Sequence, residues 1–397
     1  MIPAAERILD RISDAELTRR WTAVRKAMAE HKIDALVLQN TSDWIGGYVR
    51  WFTDVPATNG YPRSVVFGAD DMSVVEMGTF GLVRNHNGKD DLHRGVSEHL
   101  HTPSFTSIAY TNEYDAELVV DVIKRRGYKT VGFITPNALP YGFTGTIKTK
   151  LDGQVKFVDA TEWIDRIKAI KSPEEIALIR RCATMQDQIF AQVLKFIKPG
   201  VRDIDVTSLA QHEGQIRGSE QGIFLGSSSP VGIRSSFAPR FMQGRTLKAG
   251  DHLSLLIEVN GPGGMYTEIA RTIVLGKASN ELLDGFAAVR EAQTHTLSLI
   301  KPGVKASDIA AAHDTHMTQR GMPAELRLYA HGQGYDMVER PLIRRDENMT
   351  IEAGMNLAVH PGYETPSIFA VICDNYMVEQ NGPGECLHKT EKKVFEV

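Results

Sequence analysis

The chain has 397 residues, of which 42% are hydrophobic and 24% charged, and its formal net charge is -4. This length predicts two domains rather than a single core. The slight acidic excess gives no support for a nucleic-acid or anionic-membrane partner, because such partners require a basic patch. No apolar run approaches the roughly 20 residues that cross a bilayer. Three cysteines are too few for a disulfide framework, so we expect a cytoplasmic protein.

Helix and strand signals alternate over residues 1–165. Ser13, with Glu16 three residues later, marks the start of an amphipathic helix. The runs IDALVLQN, SVVFGAD, MSVVEMG and KTVGFIT indicate strands, and DAELVVDVIKRRG indicates another helix. No glycine-rich phosphate loop joins a strand to a helix in this half. The pattern predicts an α/β domain that acts as a scaffold or a lid.

A second domain is predicted for residues 166–397. A strong helix start at Ser172-Pro173-Glu174-Glu175 opens a long helix that runs to about Phe196. The phrase FIKPGVRDIDV then follows, and a similar phrase, LIKPGVKASDI, begins at Leu299. KAGDHLSLLIEV and EAGMNLAVHPG form another similar pair, again about a hundred residues apart. We therefore expect two related half-units with a site in the cleft between them.

The stretch from His252 to Gly276 predicts a β-hairpin with one glutamate in each strand, Glu258 and Glu268. A carboxylate in an apolar strand must be paired, hydrogen-bonded or metal-bound, because an isolated buried charge costs several kcal/mol. The second half-unit adds four candidate side chains: His331, Glu339, His360 and Cys373. Taken singly, each can be an ordinary core or surface residue, so none establishes a function.

Together these motifs resemble the pita-bread family, which includes methionine aminopeptidase, aminopeptidase P, prolidase and creatinase. The resemblance is carried by the linker KAIKSPEEIALIR, by Gly250-Asp251 before a hairpin ending in Arg271-Thr272, by the HG-x-G...E-x-P phrase from His331 to Pro341, and by E-x-GM from Glu352 to Met355. It covers essentially the whole chain. It implies a mixed α/β (α+β) protein, with a creatinase-like N-terminal α/β domain followed by a pseudo-two-fold catalytic domain containing a curved antiparallel sheet. It also implies a homodimer in which the N-terminal domain caps the partner's cleft.

The resemblance places unusual residues at the metal positions. The metallopeptidases of this family bind two metals with two aspartates, a histidine and two glutamates. In this sequence Glu258 and Glu268 stand at the aspartate positions, His331 is kept, and His360 and Cys373 stand at the glutamate positions. All five are ligand-capable residue types, and imidazole and thiolate favour one zinc or iron ion over a metal pair. A site with no metal is the alternative.

Three functional hypotheses stay open at this point. The favoured one is a hydrolase that cleaves a C–N bond of a small nitrogen-containing metabolite (an amidine, guanidino or amide compound), with peptidase activity less expected. Its catalytic residues would grip a cation by charge-assisted hydrogen bonds and move a proton. The second is a metal-dependent, peptidase-like hydrolase or lyase using one zinc or iron ion, and the third is an inactive binding protein. The expected catalytic residues are Glu258, Glu268, His331, Glu339 and His360.

Four further residues are expected to contact a small-molecule substrate. Tyr61 and Arg63 lie in the N-terminal domain, where the arginine could bind a substrate carboxylate. Phe237 falls near the place of a family histidine. Arg271 is expected at the substrate as well, or beneath the carboxylates to hold them in place.

Overall fold

The computed structural model describes residues 6, 10–40, 47–56, 58, 60–78, 81, 83–85 and 91–397. Contacts divide the chain into two compact units, Met1–Lys168 and Ala169–Val397. The division falls inside one helix, Thr161–Ala169. Within the described ranges, no helix combines the length and apolar character that a membrane crossing needs.

The first unit is an α/β layer built on one sheet. Its helices are α1 (Asp14–His31), α2 (Gly47–Thr53), α3 (Tyr114–Arg126), α4 (Tyr141–Lys150) and α5 (Thr161–Ala169). Its strands are β1 (Ala35–Asn40), β2 (Arg63–Gly68), β3 (Met72–Gly78), β4 (Val83–Asn85), β5 (Val96–Pro103), β6 (Thr130–Phe133) and β7 (Lys156–Asp159). The sheet order is β4-β5-β3-β2-β1-β6-β7, and parallel and antiparallel pairs are mixed. The predicted strands and helices are thus present.

Local sequence signals explain how these elements form. The Ser13 side chain accepts a hydrogen bond from the Glu16 N–H, which satisfies one of the free donors at the start of α1. Strand β1 is buried along its whole length, as expected for an apolar run in the middle of a covered sheet. One face of the sheet packs on α3 and α4 through a core that includes Val75, Leu100 and Phe143.

Asp115 is a buried carboxyl group beside this core, and it makes the stability of the fold depend on pH. Its Oδ2 accepts from Gln39 Nε2 at 2.7 Å, and its Oδ1 accepts from the Ala116 N–H at 2.8 Å. Burial raises its pKa from 3.8 to about 6, against the opposing effect of these hydrogen bonds. The folded state therefore keeps a proton that the unfolded chain releases. The stability from this proton is complete below about pH 4 and is lost as pH rises through about 6.

We expect Asp115→Asn to raise the unfolding free energy by up to about 3 kcal/mol near pH 7 and to leave it unchanged near pH 4. The asparagine fits because the Gln39 amide can turn over, since the Ser64 hydroxyl that now accepts from it can also donate. Urea unfolding across this pH range measures the difference. Asp121→Asn, at an exposed position of the same helix, is the control and should show no such pH-dependent gain. Parallel curves for Asp115→Asn and wild type would contradict the expectation.

The second unit repeats a pattern of two helices followed by strands. Its helices are α6 (Pro173–Phe196), α7 (Asp203–Gln215), α8 (Asn280–Leu299) and α9 (Ala306–Gln319). Its strands are β8 (Gly222–Ser229), β9 (His252–Asn260), β10 (Tyr266–Val274), β11 (Ala330–Gly332), β12 (Glu339–Leu342), β13 (Asn356–Val359), β14 (Gly362–Glu364), β15 (Phe369–Val371), β16 (Asp374–Glu379), β17 (Gly382–Cys386) and β18 (Phe395–Glu396). Helix α6 starts at Ser172 with a complete capping box, as predicted.

Two sheets form the centre of this unit. One has the order β18-β10-β9-β8 and the other β12-β11-β13-β16-β17. An isolated β-bridge between Ala270 and Cys373 links them. The apolar run FAVICDNYMV does not form one continuous strand, because it is broken at Ile372 and Cys373 into β15 and β16. The break lets the chain leave its pairing with β14, form the bridge to β10 and then pair with β13.

Candidate active site

Glu258 and Glu268 face each other across the β9–β10 hairpin, where they are direct register partners. Both strands are buried throughout, and the turn that joins them uses two residues with positive φ, Gly263 and Gly264. Burial and the charge of Glu268 raise the pKa of Glu258 well above its ordinary value. Burial pushes the pKa of Glu268 in the same direction, but the His360 and His331 rings hold it at about 2. Of the two carboxyl groups, Glu268 is therefore the one whose surroundings favour the charged form.

Glu268, His331 and His360 form a trio of potential metal ligands, of which Glu268 and His331 are buried and His360 is partly exposed. One ligand atom from each lies within 4.8 Å of the others. The Glu268 Oε2 is 3.6 Å from His331 Nε2 and 3.9 Å from His360 Nε2. Both separations are too long for a hydrogen bond. The two imidazole rings meet edge to face, with centroids 5.1 Å apart.

The trio fits a divalent metal ion on two observations. His360 Nε2 is buried and has no hydrogen-bond partner among the described residues. Buried polar atoms normally have a partner, and a metal ion bound to this nitrogen would be one. His331 Nδ1 lies 2.9 Å from the Gly332 carbonyl oxygen. Because a carbonyl can only accept, Nδ1 carries a proton, and Nε2 is the ring nitrogen that faces Glu268. Imidazole and carboxylate are ligands that zinc and iron accept.

A chain of side-chain amides connects the two glutamates, and its direction is fixed by one backbone group. The Glu268 N–H donates to Asn375 Oδ1 at 2.7 Å, so the Asn375 amide nitrogen must point the other way. Asn375 Nδ2 donates to Gln333 Oε1 at 2.8 Å, and Gln333 Nε2 donates to Glu258 Oε1 at 2.9 Å. Glu258 Oε1 is therefore always offered a donor. We call the side chains of Asn375 and Gln333 the amide chain.

The sequence analysis missed both residues of the amide chain. Gln333 lies between Gly332 and Gly334, two residues after His331. A polar side chain between glycines and close to a candidate histidine could have indicated a site residue. Asn375 lies two residues after Cys373. Because side chains alternate between the two faces of a strand, an extended chain here would place both side chains on the same face. Their pairing with the hairpin spans 75 and 107 residues of sequence, respectively. Only the folded chain reveals it.

Cys373 lies beside the trio but as a thiol. Its Sγ is 3.4 Å from the Glu268 carbonyl oxygen, to which it donates. Burial and the charge of Glu268 raise the pKa of Cys373 well above its ordinary value, so the sulfur keeps its proton. A role for Cys373 as a metal ligand stays a prediction. Glu258 supplies no atom to the trio, and its Oε1 accepts from Gln333 Nε2.

Arg271 is a structural residue, and this corrects its predicted contact with substrate. Its side chain is 0% exposed and forms an ion pair with Asp374 at 2.7 Å. Its other donors go to main-chain oxygens, which leaves nothing to offer a ligand. These acceptors are the carbonyl oxygens of Ala270, Cys373, Thr390 and Glu391.

Glu339 is likewise committed to the fold, which corrects its predicted catalytic role. Its Oε2 lies 2.7 Å from Lys171 Nζ, and the two side chains are 6% and 4% exposed. Its Oε1 accepts from the Asp336 N–H at 3.2 Å. This ion pair stabilises the fold, because releasing the carboxylate would leave the lysine charge buried without this partner.

The remaining predicted substrate residues lie in different places. Phe237 packs edge-on against Phe369, 5.1 Å between centroids, in the apolar cluster that contains Cys373. Tyr61 and Arg63 belong to the first unit. The Arg63 guanidinium donates to Glu76 and to the Pro56 carbonyl oxygen, so it is occupied within its own unit. Contact of these residues with substrate stays a prediction.

Comparison with known families identifies the class of protein. Residues 177–380 match the model for metallopeptidase family M24, and residues 20–170 match the model for the creatinase/prolidase N-terminal domain. The chain therefore belongs to metallopeptidase family M24 and is a hydrolase with the pita-bread fold. The fold class and the resemblance inferred from the sequence are confirmed.

Individual relatives agree with this assignment. The chain is 25% identical to the uncharacterized peptidase YqhT of Bacillus subtilis over 281 residues, 70% of this chain and 78% of the relative. It is 25% identical to an Xaa-Pro dipeptidase of Pyrococcus horikoshii over 275 residues, 68% and 76% of the two chains. The solved X-Pro aminopeptidase of Thermotoga maritima superposes with a TM-score of 0.77 at 15% identity, covering 95% of this chain and 99% of the other.

These comparisons correct the favoured functional hypothesis. The expectation of a hydrolase for non-peptide C–N bonds, with peptidase activity less expected, is contradicted because the relatives and structural neighbours carry peptidase names. The error came from treating altered ligands as a lost peptidase site. Each substituted residue is itself a ligand-capable type, so the change did not exclude metal-assisted chemistry.

Proposed function

We propose that the chain is a metal-dependent hydrolase that cleaves an amide bond of a short peptide. The observation that carries the proposal is the trio of Glu268, His331 and His360, whose ligand atoms lie within 4.8 Å of one another. The relatives named Xaa-Pro dipeptidase and X-Pro aminopeptidase support a substrate with proline after the scissile bond. We propose zinc or iron as the metal, because two imidazoles and one carboxylate suit either ion.

The trio would hold the metal, and the residues around it would position the substrate and move a proton. A bound divalent metal supplies Lewis-acid polarisation of the scissile carbonyl. Glu258 receives the Gln333 N–H at Oε1, which leaves Oε2 as the atom that can hold a proton and deliver it to the departing nitrogen. The Gly332 carbonyl keeps the His331 ring in one tautomer. The buried strands exclude water around these groups.

Metal removal tests this function. Protein depleted with a strong chelator is assayed on a panel of dipeptides, with and without proline at the second position, before and after addition of Zn²⁺ or Fe²⁺. We expect depletion to abolish amino-acid release and one equivalent of the correct metal to restore it. Full turnover by protein shown to be metal-free, or no cleavage of any dipeptide after metal uptake, would contradict the proposal.

The amide chain gives a second test of the same site. Gln333→Met keeps the size of the side chain but removes the donor to Glu258, and it leaves Asn375 Nδ2 with one acceptor fewer. We expect kcat to fall by about 10- to 100-fold, as for other residues that orient groups at a metal site. Bound metal and the unfolding midpoint report whether the site and the fold persist.

Gln186→Met is the matched control for this substitution. Gln186 on α6 is also a buried amide that bonds the hairpin, because it donates to the carbonyl oxygens of Ile257 and Thr267. It does not bond either glutamate side chain, so its loss should lower stability while kcat of the folded protein changes far less. Equal losses of kcat in the two variants would show that the Gln333 effect is only structural.

A further inference from the structure

Strands β3 and β5 carry a second cluster of metal-ligating side chains, in the first unit and outside the candidate active site. Glu76 on β3 and His99 and His101 on β5 each offer one ligand atom, and these atoms lie within 4.8 Å of one another. We propose that this cluster is a binding site for a divalent transition-metal ion, with zinc as the preferred ion. Two nitrogens and one carboxylate oxygen form a ligand set that zinc accepts.

The sheet register places the three side chains on the same face. Strands β3 and β5 are parallel neighbours, and Glu76 and His101 are direct register partners. Because side chains alternate along a strand, His99 and His101 point to the same side and Leu100 to the other. Leu100 and its register partner Val75 belong to the core under α3. The cluster therefore occupies the opposite face, and a bound ion would cross-link two adjacent strands near the β4 edge of the sheet.

The distances within the cluster suit ligands of a shared ion. Glu76 Oε2 lies 3.0 Å from His99 Nε2, and the His99 and His101 rings are 4.1 Å apart between centroids. Zinc bonds of about 2.0–2.2 Å in a tetrahedral site separate neighbouring ligand atoms by roughly 3.4 Å. Small rotamer adjustments are therefore enough. The side chains of His99 and Glu76 are 3% and 16% exposed, so the site is shielded but can be reached by an ion.

Arg63 is the competing partner that the proposal must overcome. Its Nη2 lies 3.2 Å from Glu76 Oε2 and 3.4 Å from Oε1. A carboxylate has about four acceptor positions on two oxygens, so Arg63 can keep Oε1 while Oε2 turns to the ion. The alternative is a closed network in which Arg63 and His99 satisfy Glu76 and no ion binds. These two states predict different metal contents, which makes them separable.

Metal counting on the full chain tests the site independently of the proposed function. Wild type, His101→Ala, His360→Ala and the double variant are depleted, dialysed against micromolar Zn²⁺ and analysed by plasma mass spectrometry. We expect one equivalent fewer in His101→Ala than in wild type, and near zero in the double variant. If the active-site trio binds no zinc, wild type should hold one equivalent, His360→Ala should also hold one, and His101→Ala none.

Two further variants guard against a loss of metal that comes only from misfolding. His93→Ala is the matched control, because the His93 ring packs on His99 at 4.8 Å but supplies no atom to the cluster. It should bind as much zinc as wild type. Glu76→Gln removes a ligand charge with almost no change in shape and should lose the same equivalent as His101→Ala. Unchanged zinc content in folded His101→Ala and Glu76→Gln would overturn the site, whatever the active site binds.

Discussion

Glu268→Gln is expected to abolish turnover and active-site metal binding together. Glu268 supplies the only carboxylate of the trio, and its Oε2 faces the Nε2 atoms of both histidines. A neutral amide cannot balance the charge of a divalent ion, so affinity falls. We expect kcat/KM to drop about a thousandfold or more, since a Lewis acid supplies several kcal/mol and each 1.4 kcal/mol is tenfold.

Glu339→Gln separates the two carboxylates that sequence reasoning had grouped as catalytic. Its expected effect is on stability, because Lys171 would lose a buried ionic partner. The folded fraction should keep its metal and its kcat. Dipeptide hydrolysis and metal content, measured in parallel on both variants, check the pair of expectations. An active, metal-loaded Glu268→Gln enzyme would show that the trio is not the catalytic centre.

Arg271→Met is expected to have the largest effect on folding. The substitution leaves Asp374 charged in the interior without its guanidinium, which costs about 3–5 kcal/mol. It also removes one donor from each of four carbonyl oxygens, at about 1–3 kcal/mol for each one left unsatisfied. The carbonyl oxygens of Ala270 and Cys373 each keep a backbone N–H donor. A whole domain is stable by only about 5–15 kcal/mol. We therefore expect the variant to be recovered mainly as insoluble or unfolded chain.

Soluble yield and urea unfolding measure the Arg271 effect. Arg344→Met is the control, because Arg344 pairs with Asp346 where both side chains are more than half exposed. Such surface pairs contribute about 0–1 kcal/mol, so this variant should fold normally. Arg271→Lys should fall between the two, since an ammonium group has three donors where the guanidinium has five. A stable Arg271→Met protein would contradict this expectation. It would mean that water enters and satisfies the carbonyl oxygens that lose the guanidinium.

Much of the fold was predictable because its signals are local. The cap at Ser13, the capping box at Ser172 and the hairpin around the glycine-rich turn all depend on residues a few positions apart. The hairpin alone sets Glu258 opposite Glu268, since equal distances from the turn make them register partners. The two histidines were predictable as candidates from residue type and from the family phrase that contains His331.

The assignments that the structure corrected all depend on partners distant in sequence. Glu339 is held by Lys171 across 168 residues, and Arg271 by Asp374 across 103. The sequence within a few residues of either position does not indicate which residue will be its partner. The partner of Arg63 also depends on topology, because its pairing with Glu76, 13 residues away, requires β2 and β3 to be aligned in register. Sequence pattern shows that a charge must be neutralised, but the neutralising group is chosen by topology.

The fixed direction of the amide chain has an evolutionary consequence. A backbone N–H cannot invert, so Asn375 and Gln333 have one permitted orientation, and Glu258 must be an acceptor at the end of it. The residue types at positions 258, 333 and 375 are therefore expected to change together among homologues. A lineage that replaces the acid at 258 with a hydrogen-bond donor should also have abandoned one of the two amides. Such covariation would mark the boundary of the subgroup that shares this site.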